Sequence, residues 1–197
     1  INGEIIISNK ILLTGVGSYL PKKKYSNKDL SKFIETSDDW ITKRSGIKFR
    51  HFVSKNETTS DMAVNAALNA INNSKIKKEE LDLIIVATTT PDNTFPATAT
   101  LVQKKLGINA VSFDVQAVCA GFVFALSVAK SMMIDNNYSN CLVIGADTMS
   151  KLLNWNDRTT SVLFGDGAGA VILQKFKNID GKLNDWGILS NVIHSDG

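Results

Sequence analysis

The run Leu83-Ile84-Ile85-Val86-Ala87 carries no polar side chain over five residues. A strand with one wet face alternates apolar and polar positions, whereas a strand covered on both faces reads as continuous apolar chain. Something must therefore pack above and below this segment. Other strand-length runs recur at Ile11–Val16, Val111–Val115, Leu142–Ile144, Ala170–Leu173 and Ile188–Ile193. Helix-period stretches lie between them. Asn27 is a candidate N-cap for a helix carrying Leu30, Phe33 and Ile34, and Ser37 caps a short helix that Gly46 stops. Thr59-Ser60-Asp61 opens a helix with Ala63, Ala66, Ala67, Ala70 and Ile71 on one stripe. Thr98–Leu106 ends at Gly107, and a very apolar helix runs from about Cys119 to Ile134. This alternation predicts an α/β fold around a largely buried mixed or parallel sheet.

Composition narrows the function classes. The chain has 197 residues, 44% hydrophobic and 21% charged, which excludes disordered, collagenous and coiled-coil classes. A net charge of +3 is too small for the basic footprint of a nucleic-acid binder, so no nucleic-acid partner is expected. No run approaches 18 consecutive apolar residues, so no membrane span is expected. Two cysteines, Cys119 and Cys141, make no disulfide framework and suit a reducing compartment. His51 and His194 stand far apart without a zinc-spaced array, so no metal is expected.

The segment richest in chemistry is Ser112–Phe122, where a strand turns into the apolar helix with Cys119 at its start. Free N–H groups and partial positive charge at a helix start favour a thiolate nucleophile there. The competing reading is a buried core cysteine, which is common; Cys141, inside a strand run, takes that reading. Gly15-Val16-Gly17 and Gly165-Asp166-Gly167-Ala168-Gly169 lack the strand–glycine–helix context of a phosphate loop and read as close-packing glycines. Lys22–Lys24 reads as a solvated face. Trp40 and Arg44 sit four apart on one helix, where an aromatic face beside a guanidinium can hold a base and a phosphate or simply pack. Only three arginines occur, Arg44, Arg50 and Arg158.

Several motifs stand in one order: Thr36-Ser37-Asp38-Asp39-Trp40-Ile41, Arg44-Ser45-Gly46-Ile47, Ala87–Thr90 with Phe95-Pro96, Val118-Cys119-Ala120-Gly121-Phe122, Asn156-Asp157-Arg158 and Phe164–Gly169. From about Lys10 to Gly197 the chain resembles the amino-terminal half of the β-ketoacyl-acyl-carrier-protein synthase III family, condensing enzymes of the thiolase superfamily. The resemblance implies a thiolase-like layered αβαβα fold of two similar halves, with residues 1–9 as an extension and 10–197 as the first half. It implies that Cys119 takes an acetyl group from acetyl-CoA and condenses it with malonyl-acyl-carrier protein with loss of CO2, starting type II fatty-acid synthesis. Thr36, Trp40, Arg44 and Arg158 would contact CoA, which is a substrate, so no cofactor is implied. Phe95 would close the acyl pocket of a neighbouring subunit in a homodimer. The family's catalytic histidine and asparagine belong to the carboxy-terminal half, and neither His51 nor His194 matches that histidine. The chain alone is therefore expected to condense poorly. The expected location is a bacterial cytoplasm or, alternatively, a plastid or apicoplast stroma after transit-peptide removal. Alternatives are a hydroxymethylglutaryl-CoA or other starter synthase, or a non-catalytic CoA- or carrier-protein-binding module.

Overall fold

Five strands form one mixed sheet in a computed structural model that describes residues 7–179, 181–183 and 185–196. The order is β1 (Ile7–Tyr19), β7 (Asp166–Ile179), β6 (Asn140–Thr148), β4 (Leu83–Ala87) and β5 (Val111–Val115). β4 runs parallel to β5 and β6, while β7 is antiparallel to both β1 and β6. The apolar run is β4, flanked on both sides and buried along its whole length. A continuous apolar strand belongs at such a position because both of its faces are covered.

One cover consists of α3 (Thr59–Ser74) and α4 (Thr98–Leu106), packed on Ile84, Val86, Leu142, Ile144, Ala170 and Ile172. The other is α5 (Gly121–Asp135), whose Ala125, Ala129 and Met133 meet Leu83, Ile85, Val143 and Leu173. Alternation along the strands thus feeds two cores from one sheet, an αβα sandwich. The alanine stripe of α3 allows unusually close approach to β1. A Cβ placed on Gly15 would lie 2.3 Å from Ala70 O, and one on Gly17 would lie 2.2 Å from Ala66 O. These glycines serve packing.

Caps delimit the helices as the local chemistry dictates. Thr58 and Asp61 form a capping box on α3, and Gly107 in the left-handed region closes α4. α2 (Asp38–Ser45) starts at the Ser37 cap and stops at Gly46, φ 73°. α1 is only Asn27–Leu30, and its cap is Ser26 rather than Asn27. Asn27 is instead a buried hydrogen-bonding hub.

The structure departs from expectation in three further places. Residues 7–9, assigned to an extension, are part of β1 and pair with residues 177–179; residues 1–6 lie outside the described residues, as does Gly197. The antiparallel pair β2 (Lys23–Ser26) with β3 (Phe49–Phe52) and the short α6 (Arg158–Ser161) carry no strong periodicity, and they enclose a small third core of Leu30, Ile41, Phe52 and Val162. The run Ile188–Ile193 is not a strand. A strand needs a ladder along its length, and this segment's backbone bond to the sheet among the described residues is Ile188 N–H to Ile11 O, 2.9 Å.

Candidate active site

β5 ends at Val115, and a single 3-10 turn, Val118–Ala120, delivers the chain into α5. Val118 sits at φ 47°, a left-handed conformation costing a β-branched residue roughly 1–3 kcal/mol. Cys119 stands next on this turn, free and exposed. The core reading of Cys119 is thereby excluded. Cys141 is the opposite case: it is fully buried in β6, and burial, helped by the charge of Asp82, pushes its thiol well above the ordinary range.

Cys119 opens on a cavity of about 280 Å³ lined also by Ala87, Phe122, Gly145, Asp147, Gly165, Gly167 and Gly169. Gly145 and Gly169 are register partners across β6 and β7. A Cβ on Gly145 would press on Phe122 at 3.2 Å, whereas one on Gly169 meets nothing within 4 Å. Within Phe164–Gly169, Gly165 and Gly167 are closely packed, with a Cβ on each 3.1 Å from Arg50 Cβ and Leu20 Cδ2 respectively, while Gly169 leaves space open.

Carboxylates that sequence reasoning left aside fix the surrounding loops. Asp147 Oδ1 accepts from Thr89 N (2.8 Å), Thr90 N (3.1 Å) and the hydroxyls of Thr88 and Thr90. Asp166 accepts from Val53 N and Ser150 N, both at 2.8 Å, and from the Ser150 hydroxyl. Asp114 accepts from Thr98 N and Ala99 N at 2.7 Å each and so caps α4. The available signal was an acid within or opening an otherwise apolar strand, which must find donors where it is buried.

Thr36, Trp40, Arg44 and Arg158 come together as a second cluster. The Arg44 guanidinium carbon lies 4.4 Å from the Trp40 ring centre and that of Arg158 lies 5.1 Å from it. Arg158 Nη1 also donates to Glu35 O at 2.9 Å, beside Thr36, whose hydroxyl is buried without a hydrogen-bond partner. Both arginines are exposed residues and belong to no ion pair among the described residues. Asp157 caps α6 through Thr159 N, and the hydroxyls of Thr159 and Thr160 hold its carboxyl below the usual range.

Phe95 is 83% exposed on the β4–α4 loop, away from the cavity lining. His51 Nδ1 faces Pro21 O at 2.6 Å and His194 is exposed; neither lines the cavity. Lys24 lies over the Phe49 ring at 4.1 Å. Among the described residues no group of three or more His, Cys, Asp or Glu is placed to hold a metal ion. The Val118–Asp135 stretch reaches a mean hydropathy of 1.6 over 18 residues, enough by length and composition for a membrane span. Ser127, Lys130 and Ser131 interrupt it, and here one side of it packs on the sheet.

The 3-oxoacyl-[acyl-carrier-protein (ACP)] synthase III family matches residues 113–197. The β-ketoacyl-[acyl-carrier-protein] synthase III of Ehrlichia canis is 56% identical over 187 residues, 94% of this chain and 57% of the relative. That of Paramagnetospirillum magneticum is 53% identical over 194 residues, 98% of this chain and 59% of the relative. Among solved structures, 3-oxoacyl-[acyl-carrier-protein] synthase III from Aquifex aeolicus superposes with a TM-score of 0.78 at 48% identity, covering 83% of this chain and 53% of that one. The Pseudomonas aeruginosa enzyme gives 0.79 at 38% identity, covering 84% and 51%. The chain spans about half the length of the curated relatives it matches. Along most of its length the chain is similar in sequence, and in its thiolase-like fold, to about half of a β-ketoacyl-[acyl-carrier-protein] synthase III.

Proposed function

We propose that Cys119 is the nucleophile of a condensing acyltransferase that joins an acetyl group to malonyl-acyl-carrier protein. The observation carrying this reading is an exposed thiol on a strained turn at the head of a core helix, opening on a glycine-walled cavity. The thiolate attacks the acetyl-CoA carbonyl carbon, the C–S bond to CoA breaks, and CoA leaves as its thiol after taking a proton. Malonyl-acyl-carrier protein then loses CO2. The electron pair of the broken C–C bond forms the new bond to the acetyl carbon, expelling the Cys119 thiolate and giving acetoacetyl-acyl-carrier protein. Two steps replace one difficult carbon–carbon bond formation.

Trp40, with Arg44 and Arg158 beside it, suits the adenine and phosphates of CoA, since planar guanidinium forks match phosphate oxygens and stack on rings. The thioester is the substrate, and the reading needs no cofactor. A second half of the enzyme would supply the decarboxylating groups and would cover α5, whose Val123 and Ile134 lie 46% and 43% exposed. A homodimer is favoured by β5, an edge strand with one unpaired side. The exposed Phe95 is available to reach the partner's acyl pocket. A bacterial cytoplasm fits the bacterial relatives and the free thiols.

Intact mass spectrometry of the full-length protein after incubation with acetyl-CoA tests the reading. One acetyl adduct that disappears in Cys119→Ala is expected. CoA binding without any adduct would sink the catalytic reading in favour of a binding module, and preference for a longer or branched starter would move it to another starter synthase.

A further inference from the structure

Arg50 is the one arginine that the acyl-transfer reading leaves idle, and it is 5% exposed. Its Nη1 donates to Asn27 Oδ1 at 2.6 Å and its Nη2 to Val162 O at 3.1 Å, while Nε has no partner. Among the described residues it belongs to no ion pair. Burial accordingly pulls its pKa below the ordinary guanidinium value. A buried charge without a counter-charge is costly, and an apolar side chain would fill the same space more cheaply. What the guanidinium adds is a rigid fork, and its two prongs reach different elements.

The first prong engages fully buried Asn27, which donates onward to Asp38 Oδ1 (2.8 Å) at the first residue of α2 and to Ile47 O (2.7 Å) just beyond its end. α2 carries Trp40 and Arg44. The second prong holds Val162, the C-cap of α6, whose first residue is Arg158. Behind the fork, a Cβ on Gly165 would lie 3.1 Å from Arg50 Cβ, and Gly165 also lines the Cys119 cavity. Arg50 therefore bridges both walls of the Trp40 cluster and backs onto the cavity wall.

We propose that Arg50 is a positioning residue that holds the α2 and α6 walls in register, and so sets how firmly the nucleotide end of a CoA thioester is gripped without touching it. The proposal rests on reading the Trp40 cluster as the CoA platform. It predicts discrimination between thioesters with and without a nucleotide. In the full-length protein, the second-order rate of Cys119 acetylation is measured with acetyl-CoA and with S-acetyl-N-acetylcysteamine, which lacks the nucleotide. In Arg50→Gln the ratio of the two rates falls on the order of tenfold through a higher KM for acetyl-CoA, as expected for losing hydrogen bonds from a charged group. Arg50→Lys keeps bulk and charge but reaches one partner, and Asn27→Ser removes the first acceptor; both lower the ratio as well.

A merely structural role lowers both rates together. A ratio within about twofold of wild type in all three variants overturns the proposal, whether the rates themselves fall or hold. Calorimetric CoA binding in a Cys119→Ala background separates the two readings. Weakened CoA binding in Arg50→Gln with no acetylation of the wild type sinks the acyl-transfer reading and keeps the platform. Acetylation of the wild type with an unchanged ratio sinks this proposal alone.

Discussion

Gly169 and Gly17 show how differently two strand glycines act. A side chain at Gly169 would meet open space beside the Cys119 cavity, so Gly169→Val is expected to leave the fold intact and obstruct the proposed acyl group. The expected result is a thermal midpoint near wild type with acetylation slowed on the order of 100-fold, read by stopped mass spectrometry. A methyl at Gly17 would instead strike backbone atoms of α3, 2.2 Å from Ala66 O and 2.3 Å from Ala70 N. Backbone cannot swing aside, so Gly17→Ala costs about 3 kcal/mol or more in denaturant unfolding. The close-packing role of Gly17 was read from the sequence and holds, whereas that of Gly169 was hidden because the two positions read alike as glycines beside apolar runs. Cys119 was legible because its position at a strand-to-helix junction is a local property. Its exposure was not, since that depends on which elements leave the turn uncovered.

Helix ends are where local chemistry predicts well and where one long-range exception occurs. Thr58, Ser37, Gly46 and Gly107 delimit their helices from within the neighbouring sequence. The start of α4 lacks a side-chain cap of its own, and Asp114 on β5 serves instead. Asp114→Ala should therefore cost about 1–2 kcal/mol, a normal cap loss, although the residue is 16 positions from the helix start; equilibrium urea unfolding measures it. Asp61 gives a pH signature at α3. Burial raises its pKa, but hydrogen bonds from Lys105 and Thr58 outweigh that and leave it lowered. Its stabilisation is complete above the unfolded-chain value of about 3.9 and is lost as pH falls through the lower folded value. Urea midpoints measured downward from pH 5 should decline more steeply for wild type than for Asp61→Asn.

Among the described residues, the outer face of α5 and the free side of β5 have no partner in this chain. Val111 N–H bonds inward to Asp82 O, so Ser112, next along the strand, directs its own N–H to the free side. Ser112→Pro removes that donor while sparing the ladder to β4. Sedimentation of the full-length protein tests the proposed homodimer, which this variant is expected to weaken toward monomer with the melting of the αβα core little changed. An unaltered dimer would place the subunit contact elsewhere.

Sequence by itself determined that β4 is covered on both faces, that α3 begins at Thr59 and α4 stops before Gly107, and that a cysteine heads the central helix. Each follows from side-chain character within a few residues, the range over which burial periodicity and capping act. Only the tertiary structure decided that Ile188–Ile193 forms no ladder, that Asp147 and Asp166 anchor the loops around the cavity, and that the Arg158 guanidinium lies over the Trp40 ring from 118 residues further along. A ladder, a buried carboxylate and a guanidinium over an aromatic ring all depend on partners brought close by chain folding, and no local pattern encodes such a partner.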